Sequence, residues 1–108
     1  MPLTLADPLS RTLHGFLVRR TVQERNKELA LALVRAANEG KDCCVTDAWH
    51  PEGLYLACES VVADGERVAL RLTATARGET WCLLEELRFD GAGRVVEHHG
   101  ARAPLDAR

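Results

Sequence analysis

The stretch ERVALRLTATARGETWCLLEELRF (66–89) decides the fold. Apolar and polar residues alternate through Val68, Leu70, Leu72 and Ala74, the period of two that a half-buried strand requires. Arg77-Gly78 interrupts the pattern, and a second alternating run follows. If Arg77-Gly78 is a two-residue turn, Ala74 faces Trp81, Leu72 faces Leu83, Leu70 faces Glu85 and Val68 faces Leu87. Directly opposed residues share a face of the sheet. One face is therefore apolar except for Glu85, which stands in its middle. The other carries Arg71, Thr73, Thr75, Cys82, Glu86 and Arg88 and suits partial solvent.

Working outward, LYLACESVVA (54–63) precedes Asp64-Gly65, a strong hairpin signal, and DGAG (90–93) precedes RVVEHHGARA (94–103). Four strands joined by three turns make an antiparallel meander over about 54–102, with no βαβ alternation and no glycine-rich phosphate loop. A four-residue loop at 90–93 places Leu87 opposite Val96 and Glu85 opposite His98. A loop one residue longer or shorter brings His99 to that face instead. If Asp64-Gly65 is tight, Val61 opposes Val68, and Glu59, Ala57 and Tyr55 follow it inward. The outer face then holds Leu54, Leu56, Val62, Leu84 and Val95 as a mixed patch.

The N-terminal part reads as helix. Asp7-Pro8 opens one helix (about 8–20), with Leu9, Leu13, Phe16 and Leu17 at helical spacing and Gly15 weakening it. Thr21-x-x-Glu24 has the form of a capping box and starts a second helix. Its stripe is Val22, Leu29, Ala30, Leu33, Val34 and Ala37, ending near Asn38 and Gly40. Residues 41–53 resist classification. The fold expected is α+β, N-terminal helices (about 8–39) packed on a curved four-stranded antiparallel sheet, one domain over 1–108.

Composition bounds the function. The 108 residues are 46% apolar and 28% charged, with a net charge of −2. That balance is ordinary for a soluble globular domain, and it lacks the basic surplus nucleic acid demands. No apolar run approaches the roughly 18 residues of a membrane span. The N-terminus has no basic segment followed by an apolar one, so a cytoplasmic location is expected. Cys43, Cys44, Cys58 and Cys82 form no CxxC and no secreted framework. Reduced structural thiols are expected, since a zinc set of Cys43, Cys44 and His50 matches no common spacing.

Glu85 and His98 are the expected neighbours on the buried face. A carboxylate in an apolar setting beside an imidazole can move a proton on or off a carbon next to a carbonyl. The competing reading is a buried pair that only satisfies itself. Tyr55 could donate to a carbonyl or form core, and Trp81 could pack or serve as a platform. Leu70, Leu72, Leu83 and Val96 complete the candidate pocket with Glu59. His50 reads as a loop residue, Asp90 as turn chemistry, and Arg94 and Arg102 as solvated charges.

VVADGERVALRLTATARGE (61–79) resembles the paired-strand segment of SnoaL-like polyketide cyclases in the nuclear transport factor 2-like superfamily. LRFDGAGRVVEHHG (87–100) is similar to that family's closing hairpin, and QERNKELALALVRAANEGK (23–41) to its first helix. The resemblance implies a cone of helices inside a curved sheet, with a ligand pocket at the open end. It implies cofactor-free cyclase or isomerase chemistry on a small apolar or carbonyl compound, and a homodimer. Relatives of that fold also bind ligands without chemistry. In the cyclases, a histidine at the position of His98 and an aspartate two residues later face the pocket. Here the second position is Gly100, so the cyclases' principal acid/base residue is missing, and Glu85 on the neighbouring strand could supply the carboxylate in its place. Between Gly40 and Tyr55 the chain is shorter than the family pattern, which removes pocket wall.

Overall fold

The computed structural model describes residues 8–41, 44–46 and 49–105, with side chains from residue 20 onward. One helix, α1 (Pro8–Asn38), is followed by β1 (Tyr55–Asp64), β2 (Arg67–Ala76), β3 (Glu79–Phe89) and β4 (Val95–Pro104). The strands form one antiparallel sheet in the order β1-β2-β3-β4. This is an α+β architecture compatible with a nuclear transport factor 2-like cone.

The helix is single. Thr21 lies inside α1 and starts nothing, because no proline separates the two halves and Gly15 costs only about 1 kcal/mol in a helix interior. The stripe of Leu9, Leu13, Phe16 and Leu17 lies outside the described side chains. Farther along, Ala30, Val34 and Ala37 are buried against the sheet, with Leu29 and Leu33 beside them. The helix ends in a Schellman motif: Lys41 N–H bonds the Ala36 carbonyl at 2.9 Å, Gly40 N–H that of Ala37 at 3.1 Å, and Gly40 takes φ 77°. The Asn38 side chain then holds the free edge of β1, donating to the Leu56 carbonyl (3.0 Å) and accepting from its N–H (2.7 Å).

Two hairpin turns sit under the middle of α1. Asn26, fully buried, donates to the Gly65 carbonyl at 3.3 Å. Arg25 donates to the Asn26 side-chain oxygen Oδ1 and to the Gly91 and Asp90 backbone carbonyls at 2.9 and 3.1 Å. Asp90 organises its own loop as an acceptor for the N–H groups of Ala92 and Arg94, as its turn sequence suggests.

The β2–β3 register is as read from the sequence: Ala74 opposes Trp81, Leu72 Leu83, Leu70 Glu85 and Val68 Leu87. Arg77 (φ 55°) and Gly78 (φ 77°) both take positive φ, the type I′ pattern. The other two pairings differ. In β1–β2 the turn is Gly65-Glu66, so Val61 opposes Leu70, and a bulge at Glu59 then reverses the facing of the first half of β1. Tyr55 opposes Thr75 and is 58% exposed, while Leu56 is buried in the core. Glu59 is exposed and accepts a hydrogen bond from Thr73 Oγ1 at 3.0 Å. Tyr55 and Glu59 are thus on the outer face, contrary to their expected inward placement.

In β3–β4, Phe89 opposes Val95, a bulge leaves Val96 over, and Leu87 opposes His98. Val96 is exposed, not a pocket residue. Of the expected outer patch, Leu54 and Val95 pack on the core and Leu56 belongs to it, which leaves Val62 and Leu84 exposed. Beside them Arg67 bridges Glu86 (2.7 Å) and Glu97 (3.0 Å) across three strands. Among the described residues no helix is long and apolar enough to cross a membrane.

Candidate functional site

Alternation along β4 puts His98, Gly100 and Arg102 on the inner face, opposite Leu87, Glu85 and Leu83. Glu85 is therefore paired with Gly100, and its carboxyl leans diagonally to His98, with Oε2 2.5 Å from His98 Nε2. The Glu85 side chain is 5% exposed and that of His98 18%. The two side chains thus hydrogen-bond at the inner face of the sheet, the carboxyl the more buried of the two. Gly100 makes room for it. A Cβ built there would overlap Glu85 Oε2 and lie 3.0 Å from Glu85 Cδ. The carboxyl reaching over from β3 fills the space that a side chain on β4 would occupy.

Beside this pair is a cavity of about 300 Å³ lined by Thr46, Trp49, Leu83, Glu85, His98 and Arg102, among others. Its roof comes from the segment that sequence left unclassified. Val45 and Thr46 are buried and anchor it, and a turn bonds Trp49 N–H to the Thr46 carbonyl at 3.0 Å. Trp49 meets Trp81 edge-on, ring centres 5.0 Å apart at 79°, a favourable arrangement for two indoles. The Arg102 guanidinium carbon lies 4.8 Å from the centre of a Trp49 ring.

The structure thus brings together Glu85, His98, Gly100, Leu83 and Trp81 of the expected site. Leu70 and Leu72 are core residues beneath it. Tyr55, Glu59 and Val96 stand elsewhere. Trp49, Thr46 and Arg102 were missed. Arg102 had a signal, since it continues the inner row His98, Gly100 by one more step of two. Trp49 had none, for nothing in 41–53 has a period. Among the described residues, Cys44, Cys58 and Cys82 form no disulfide and no metal-binding cluster occurs. Cys43 lies outside them.

No family model matches the chain, and no curated protein does. Among solved structures the chain is similar to AclR, a proposed hydroxylase from Streptomyces galilaeus, at 26% identity and a TM-score of 0.60, covering 74% of this chain and 79% of AclR. It also matches a de novo designed β-sheet protein with a cystatin fold, at 14% identity and a TM-score of 0.47, covering 78% of this chain and 95% of that one. The likeness to AclR gives weak support to a SnoaL-like, nuclear transport factor 2-like relation and to a pocket of enzyme type.

Proposed function

We propose that this cavity binds a small carbonyl compound and that Glu85 and His98 transfer a proton at the carbon beside the carbonyl, as in SnoaL-like cyclases and ketosteroid isomerases. The observation that carries this reading is the buried Glu85–His98 hydrogen bond at the wall of a solvent-reachable cavity. Glu85 takes the C–H proton, the electron pair passes into the enolate, and the proton returns to oxygen or to another carbon. His98 stabilises the change of charge on the carboxyl it touches and fixes its orientation. The role that the resemblance gives to an aspartate at position 100 falls to Glu85, whose carboxyl reaches over Gly100. The reaction needs no cofactor.

A second reading is favoured by the same contact. The pair satisfies itself, so the cavity could hold a ligand without chemistry. Deuterium uptake from D₂O at the methyl group of aryl methyl ketones, followed by proton NMR, separates the two. Proton transfer is supported if uptake is accelerated by the wild type and lost in Glu85→Gln. Binding without any accelerated uptake rejects it in favour of the ligand-binding reading.

A further inference from the structure

Arg102 is the unexplained member of the cavity wall. Its guanidinium sits over Trp49, and among the described residues no carboxylate pairs with it. Contact with a ring uses the charge of a guanidinium but leaves its N–H donors available, and that planar fork matches a carboxylate in two-pronged fashion. Among the described residues, then, no carboxylate takes up the N–H donors of this cation at the cavity.

The spacing along β4 limits what can reach it. Arg102 is two residues beyond Gly100, over which the Glu85 carboxyl lies. At about 3.4 Å per residue the two backbone positions are about 7 Å apart on one face of the sheet, so a single-ring ligand seated across that face meets both side chains. The same wall carries the apolar side chain of Leu83, which stands opposite Arg102 and is 1% exposed, and the indole of Trp49. A volume of about 300 Å³ is the low end for ligand pockets and suits a single ring better than a fused set.

We propose that the cavity takes a flat, single-ring carboxylate, its anionic group on Arg102 and its carbonyl at the Glu85–His98 pair. The second contact rests on the proton-transfer reading above; the first does not. 4-Acetylbenzoate and its neutral methyl ester are the probes, titrated at pH 7 by calorimetry and amide NMR against wild type, Arg102→Gln, Arg102→Lys and Glu85→Gln. The carboxylate should bind the wild type at least tenfold more tightly than the ester. That preference should vanish in Arg102→Gln, fall severalfold in Arg102→Lys and survive in Glu85→Gln. Equal binding of acid and ester, binding of neither, or a preference that persists without Arg102 overturns the proposal. If Arg102→Gln fails to fold, an undiminished preference in Arg102→Lys overturns it. Deuterium uptake at the acetyl methyl of the same probe reports on the other reading. A carboxylate preference that depends on Arg102 but comes without uptake leaves the anion subsite standing and removes the proton transfer.

Discussion

Gly100→Ala tests the geometry of the site through a single methyl group. The new Cβ would overlap Glu85 Oε2 and stand 3.0 and 3.1 Å from Glu85 Cδ and Oε1. A carboxyl at the end of a side chain can usually swing aside. This one is held by His98, and the free space beside it is the cavity, so the movement open to it is into the cavity and away from His98. Losing a hydrogen bond to a charged group costs about 1.5–3 kcal/mol. Replacing a strand glycine by alanine returns about 0.5–1 kcal/mol. The net expected loss of stability is about 0.5–2.5 kcal/mol. In a Glu85→Ala background the obstacle is absent, and the same substitution should instead stabilise by about 0.5–1 kcal/mol.

The two effects differ by about 2 kcal/mol, and that difference is a coupling energy of the kind a double-mutant cycle isolates. Urea unfolding followed by the fluorescence of Trp49 and Trp81 provides the assay. With a slope of about 1–3 kcal/mol/M, Gly100→Ala should lower the midpoint by about 1 M in the wild-type background and raise it slightly in Glu85→Ala. The His98 ring resonances should shift in the single variant. Equal effects of Gly100→Ala in both backgrounds, with His98 unmoved, would refute the account of a carboxyl housed over position 100.

Three further outcomes are expected. Gly100→Asp should destabilise more than Gly100→Ala, since it sets a second carboxylate against a buried one, and adding Glu85→Ala should recover most of the loss, measured by the same unfolding curves. Asn38→Ala removes both bonds to the Leu56 backbone; a cost of about 1–3 kcal/mol and faster amide exchange at Leu56 are expected, with Asn38→Asp intermediate. On the outer face and in the last turn, the Arg67 guanidinium holds the Glu97 carboxyl below its ordinary 4.5, and chiefly the Arg94 backbone N–H holds Asp90 below its ordinary 3.8. Both are lowered on folding, so their stabilisation is complete above about pH 4.5 and is lost as pH falls through the folded values. Acid unfolding curves should show this loss, and Arg67→Gln should weaken the part due to Glu97.

How much of this was legible depends on where the chain carries its own punctuation. The β2–β3 hairpin was read residue for residue because Arg77-Gly78 admits one turn and alternation fixes the facing on both sides. The helix stripe through Ala30, Val34 and Ala37 was legible for the same reason. The false start at Thr21 was not, since a capping box describes what a terminus would use and cannot say that a terminus is there. Tyr55 and Glu59 were misplaced by a bulge at Glu59, which no residue type in β1 announces. Trp49 was out of reach because its position depends on Val45 and Thr46 entering the core, a tertiary event.

The β3–β4 pairing shows what alternation can and cannot deliver. The loop after Phe89 is one residue longer than read, which alone would turn His98 away from Glu85. The bulge at Val96 adds a second slip of one and turns His98 back. Two slips cancel in parity, so His98 and Glu85 share a face even though they are not opposite one another. Parity says which side a residue takes; register says whom it meets. Gly100, not His98, stands opposite Glu85, and only this leaves the gap through which a carboxyl on β3 reaches the histidine on β4. It also sets Arg102 opposite Leu83, at the rim of the same cavity. The chemistry of the site thus follows from an extra residue at each of two positions, Val96 and the 90–94 loop, neither of which touches the cavity.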